Sequence, residues 1–137
     1  MKIFIAFLDS QRGIGYLITR VLFGWIILWA GVGKLTGPGF SGIGGGFTRM
    51  GIPLPDISGP FIILLELLGG LGLVLGLFTR YLGVLFVIEF LVVLLYVKLG
   101  ADYGRVRIDV ALLAFAVLFA TNGAGRFSLD KKLGLGS

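Results

Sequence analysis

The sequence predicts an all-α integral membrane protein: a four-transmembrane-helix antiparallel bundle with a glycine-rich interfacial loop between its first two spans. Three observations predict it. The 137 residues are 57% hydrophobic and only 14% charged, whereas a soluble domain is nearer a quarter charged. The apolar residues gather into helix-length runs, and the mean hydropathy is +1.04. Glycines number 24 against four prolines, which suits helices that approach closely in lipid, where no hydrophobic drive holds them together. One domain, 1–137, is the expected organisation.

The elements follow in order. Residues 1–13 hold a short apolar run, 3–8. It is too short for the core of a secretory signal, and no small-residue cleavage site follows. The spans are expected at about 14–35, 60–78, 81–99 and 108–122. About 20 residues cross the hydrocarbon core, so the last is slightly short and borrows Arg107 and Gly123 as snorkelling ends. Residues 36–58 form the long glycine-rich connection. Phe40, Ile43, Phe47 and Met50 recur there at helical spacing, as an interfacial turn would. Glycines at 42, 44, 45 and 46 argue against a stable isolated helix. The segment reads as a loop capping the mouth of the bundle. Thr79-Arg80 makes a tight turn, and a short basic connection precedes the fourth span.

With four spans both termini share one face. That face carries Lys2, Arg12, Arg80, Arg126, Lys131 and Lys132, against Lys34, Arg49, Lys98, Arg105 and Arg107 opposite. The basic tail places both termini in the cytoplasm under the positive-inside rule. The protein is expected in the cell membrane as a multi-pass chain. Its net charge of +5, lying at helix ends, points to anionic lipid headgroups and not to nucleic acid.

Histidine and cysteine are both absent. That excludes thiol catalysis, disulfides, iron–sulfur ligation and the usual zinc sites. No metal site and no catalytic residue is assigned. Any redox role passes through a partner or a lipid-soluble carrier. The run Gly42-x-Gly44-Gly45-Gly46 follows no strand and lacks the Lys-Ser/Thr ending of a phosphate cradle. Trp25, Trp29 and Tyr81 suit interfacial anchoring.

The candidate binding or proton-linked residues are the charges inside apolar runs: Arg20, Lys34, Glu66, Glu89 and Asp109, with Tyr96 sharing the Glu89 face. An ionisable group at membrane depth costs about 3 kcal/mol unless paired or wetted. At 100° per residue, Arg20, Gly24, Gly31 and Lys34 fall within about 40° of one another. Gly69, Gly72 and Gly76 form a stripe beside Glu66, and Glu89 aligns with Phe86, Val93 and Tyr96. A rise of ~1.5 Å per residue puts Glu66 ~9 Å below the loop face, near Lys34, and Arg20 within ~6 Å of the level of Glu89. The expected pairs are Lys34–Glu66, Arg20–Glu89 and Asp109 with Arg105 or Arg107. Two uses remain open. Arg20, Lys34 and Asp109 also suit snorkelling ends, and Glu66 and Glu89 suit either structural pairing or the lining of a cavity for a proton, an ion or a polar headgroup.

Six stretches then carry a resemblance. They are Arg20 with Gly31-Val-Gly33-Lys34-Leu35, Gly51-Ile-Pro53-Leu-Pro55, Glu66-Leu-Leu-Gly69-Gly70, Gly76-Leu-Phe-Thr79-Arg80, Asp109-Val-Ala111-Leu-Leu and Gly123-Ala-Gly125-Arg126-Phe-Ser128-Leu-Asp130. In order and spacing they resemble the DoxX family of small four-span membrane proteins, over about residues 13–130. Glu89 matches no motif of that family. The resemblance implies association with membrane redox systems. Relatives include a subunit of a thiosulfate:quinone oxidoreductase and a membrane partner of thiol and superoxide detoxification proteins. The expected function is an accessory subunit of a respiratory or sulfur-oxidising complex, shaping a quinone or lipid site or anchoring protein partners. The alternatives are a stand-alone transporter or proton conductor using the intramembrane carboxylates, and a structural assembly factor.

Overall fold

A computed structural model describes residues 1–135. Among the described residues every regular element is helical. The elements are α1 (Lys2–Ser10), α2 (Arg12–Thr36), α3 (Gly39–Arg49), α4 (Pro55–Leu75), α5 (Thr79–Val97), α6 (Tyr103–Asn122) and α7 (Leu129–Leu133). Helices α2, α4 and α5 are long and apolar enough to cross a membrane. Helix α6 has 20 residues but opens on Arg105, Arg107 and Asp109.

Glycine lets α2 lie directly on α4. A Cβ on Gly24 would sit 2.7 Å from the Gly70 carbonyl oxygen, and one on Gly31 would sit 2.9 Å from Glu66 Cβ. The crossing is therefore backbone on backbone, the geometry small residues provide in lipid. Helix α5 meets α6 in the same way, where a Cβ on Gly83 would lie 2.8 Å from Ala120 Cα. The two pairs close over Phe23, Phe86, Phe90 and Phe119. Phe23 meets the other three rings edge-on at 5.9, 6.3 and 5.2 Å, the arrangement aromatic quadrupoles favour.

Two π-helical turns interrupt the long helices, Leu65–Gly69 in α4 and Val93–Val97 in α5. A π turn takes one more residue to close than an α turn, so residues beyond it change face. Of the expected stripe of Gly69, Gly72 and Gly76, the first two stay together against α5. Gly70 meets α2, Gly69 meets Phe86 and Gly72 meets Leu82 of α5. Gly76 instead ends α4 in the left-handed region at φ 71°, which stops the helix short of the expected residue 78.

The connection expected as a glycine-rich loop contains helix α3. Tertiary burial overrides local propensity there. Ile43 and Phe47 pack on Ile63, and a Cβ on Gly59 would strike Ile43 Cγ2 at 2.7 Å. A glycine costs a helix about 1 kcal/mol against alanine. Burying an aliphatic or aromatic side chain contributes ~1.5–3 kcal/mol, so two buried anchors offset several glycines. Residues 3–8 lie in helix α1, whose residues are exposed throughout.

Candidate functional site

Beneath α3, between α2, α4, α5 and the start of α6, lies a cavity of about 510 Å³. Its walls are mostly apolar: Ile27, Phe47, Ile62, Leu65, Phe90 and Leu112 among others. Lys34, Glu66, Glu89 and Asp109 supply the charges. A cavity of this size and polarity matches small-molecule sites, which are apolar with a few placed polar groups.

Lys34 Nζ donates to both oxygens of Glu66, at 2.7 and 2.8 Å, so depth and face predict this pair correctly. The Glu66 side chain is 4% exposed and that of Lys34 34%. The carboxylate is thus buried while the ammonium reaches the rim. Gly31 makes the approach possible by leaving no side chain between α2 and Glu66. Glu66 itself stands in the π turn, a distortion that recurs at functional sites.

Glu89 is 8% exposed and neighbours Glu66. Its Oε2 is buried and accepts from no donor, while the Glu66 carboxyl lies within hydrogen-bond reach of the Glu89 side chain. Such an atom is uncommon in a folded protein and calls for an explanation. Asp109 is ion-paired with Lys98, whose Nζ also donates to the Arg105 carbonyl at 3.1 Å. The expected Arg105 or Arg107 partner is replaced by Lys98, because the end of α5 folds back over the start of α6. Tyr96 is the other correction. It is 54% exposed, and Val93 and Val97 line the cavity instead. The second π turn puts Val97 on the face that α-helical periodicity gives to Tyr96.

Arg20 does not pair with Glu89. It is 1% exposed and donates to three carbonyls: Leu73 from Nε at 2.8 Å, Phe127 from Nη2 at 2.8 Å, and Ala124 from Nη1. Tyr16 donates its hydroxyl to the Gly123 carbonyl. Asp130 accepts from the amides of Phe78 at 2.7 Å and Thr79 at 2.9 Å, which caps the start of α5. Residues 123–130 therefore fold back across this end and fasten it. The guanidinium fork carries several donors in fixed directions, and the carbonyls left at the end of α4 need donors.

Sequence reasoning left out Lys98 and Asp130 as paired groups. Lys98 had a signal, since it lies within reach of the fourth helix across a short turn. Asp130 had only its place in the family-like Ser128-Leu-Asp130. Among the described residues no group of three acidic, histidine or cysteine side chains gathers for a metal ion.

A model of the DoxX family matches residues 15–99. The chain is 34% identical over 125 residues to the Bacillus subtilis (strain 168) protein named "Putative oxidoreductase CatD", covering 90% of both chains. It is 29% identical over 131 residues to "Inner membrane protein YqjF" of Escherichia coli (strain K12), covering 92% of this chain and 97% of that one. No solved structure matches significantly. The chain belongs to the DoxX family and is a membrane protein.

Proposed function

We propose that this DoxX-family membrane protein is a four-span accessory subunit of a membrane redox system, whose cavity between α2, α4 and α5 holds a quinone or similar lipid-soluble molecule. The observation that carries the reading is the cavity itself: about 510 Å³, mostly apolar walls, and an unpartnered carboxylate oxygen on Glu89. A quinone's ring fills an apolar slot, and its two oxygens need one or two polar partners. The Lys34 ammonium, which keeps one hydrogen beyond its two bonds to Glu66, would donate to one of them. A bound quinone supplies two-electron transfer, while this chain's residues hold and orient it and exclude water. The name of the similar Bacillus protein, an oxidoreductase, supports a redox setting.

In this reading α6 is the fourth span. Its early charges, Arg105, Arg107 and Asp109, stand at the membrane surface beside Lys98, as snorkelling ends do. Both termini then face the cytoplasm, where the basic side chains at that end meet anionic lipid.

One feature separates this reading from a stand-alone proton conductor. The charged groups of the cavity lead only to the α3 face, through the partly exposed Lys34 and Lys98. Below Glu89 the interior is Phe23, Phe86 and Phe119, each at most 2% exposed. A site open to one side suits a bound molecule better than a through-path.

Mild-detergent isolation from native membranes, with mass spectrometry of co-purifying proteins and of the organic-solvent extract, tests the proposal. A larger complex together with an extracted quinone is expected. A lone homo-oligomer whose extract holds phospholipid only would overturn it.

A further inference from the structure

Two features of Glu89 belong together. Its side chain lies within hydrogen-bond reach of the Glu66 carboxyl, and its buried Oε2 accepts from no donor. Two ionised carboxylates offer acceptors only, so they form no bond with each other, and side by side they repel. One proton between them removes both difficulties. Lys34 shows which group is the acid. It donates to both oxygens of Glu66, at 2.7 and 2.8 Å, as an ammonium does to a carboxylate. The remaining charges around the cavity are spent elsewhere. Lys98 is ion-paired with Asp109, and Arg20 is held by carbonyls at the opposite end. With one proton on the carboxyl pair, Lys34, Glu66 and Glu89 sum to zero charge. Without it a net negative charge stays buried, the costlier state at membrane depth.

We propose that Glu66 and Glu89 share one proton and form a proton-holding site, which Lys34 connects to the α3 face and Glu89 presents to the cavity. Glu89 is the neutral acid: one oxygen carries the hydrogen towards Glu66, and Oε2 is its carbonyl. A neutral carbonyl oxygen is much cheaper to leave unpaired among apolar walls than a charged one, which accounts for the unpartnered atom. The outer end of the chain is Lys34, whose side chain is 34% exposed against 4% for Glu66. The inner end is Glu89, in the cavity wall. Contact between this proton and a bound molecule rests on the ligand reading above, whereas the shared proton needs only the pair.

Infrared absorption of the full-length protein tests this, because the C=O stretch of a protonated carboxyl stands apart from that of an ionised one. The protein is held at neutral pH in dodecyl maltoside, which carries no carbonyl, and spectra in H2O and D2O are compared. Wild type is expected to show a protonated-carboxyl band that moves in D2O. Glu89→Gln and Glu66→Gln should each lose it. The first has no acid left to hold the proton; in the second the amide donates to Glu89, which then ionises beside Lys34. No such band in wild type, or a band that survives in either variant, would overturn the shared proton. A band unmoved by D2O would overturn the connection to the rim. A thermal midpoint near that of wild type shows that Glu89→Gln is folded. Decylubiquinone added to wild type should shift or shrink the band; binding that leaves it unchanged would overturn contact between the proton and the ligand. Failure of decylubiquinone to bind would overturn the ligand reading and leave the shared proton standing.

Discussion

The two ends of the helix packing treat buried charge in opposite ways. At the end fastened by residues 123–130, Arg20 and Asp130 are 1% and 3% exposed, and their partners are backbone groups. At the α3 end, Lys34, Glu66, Glu89 and Asp109 meet one another or Lys98 around open space, and one carboxylate oxygen meets nothing. The difference teaches which charges to read as structure. Backbone carbonyls and amides are fixed in place and unsatisfied at every helix end, so a charge spent on them holds the fold. A charge spent on other side chains around a cavity can be shared with a visitor.

Substitutions at the two ends should separate stability from binding. The largest effect is expected at Arg20. Arg20→Met leaves three carbonyls without a donor, a loss on the order of 3–5 kcal/mol. Thermal unfolding in detergent should show a large fall in midpoint or no folded protein. Arg20→Lys should not rescue it, since an ammonium lacks the guanidinium's planar fork. Near-normal stability of Arg20→Met would dissolve the contrast.

Asp130→Asn comes next. It keeps one acceptor oxygen but loses charge-assisted bonds to Phe78 and Thr79, at a cost of about 1–3 kcal/mol. Faster amide exchange confined to the first turn of α5 is the expected signature. Uniform loosening of the whole chain would count against a local cap.

At the cavity end, Lys34→Met strands the Glu66 carboxylate and should lower stability by ~1–2 kcal/mol, moderated because the lysine is a third exposed. The double variant Lys34→Met with Glu66→Leu should recover most of that stability while losing ligand binding. Buried ion pairs are often replaceable by apolar residues. A double variant as unstable as the single would make this pair as structural as Arg20.

The smallest effect on stability belongs to Glu89→Gln, within about 1 kcal/mol of wild type, because the isosteric amide can still bond the neighbouring Glu66. A fall comparable to that of Arg20→Met would show that Glu89 holds the fold.

The Lys34–Glu66 contact is legible in the sequence. Both residues lie on small-residue faces, at matching depth below the same surface, and Glu66 comes early enough in its π turn that little of the shift precedes it. Tyr96 was not legible for the same reason reversed. One π turn shifts everything after it, and no residue in Val93–Val97 announces that turn. The helix at Gly39–Arg49 was hidden by its own glycines, which oppose it locally until Ile43 and Phe47 find Ile63. Arg20 was misassigned to Glu89 because depth alone compares side chains. Its actual partners are carbonyls, two of them more than 100 residues further along the chain.

The sequence by itself determined the solvent, three helices long and apolar enough to cross it, the chemistries excluded by missing histidine and cysteine, and which residues carry charge within apolar runs. Those are properties of composition and of short-range periodicity, and lipid enforces them on every segment separately. Only the tertiary structure decided which charge is consumed by backbone and which is left facing a cavity. That outcome depends on where distant segments return: residues 123–130 over Arg20 at one end, and α3 over Glu66 and Glu89 at the other.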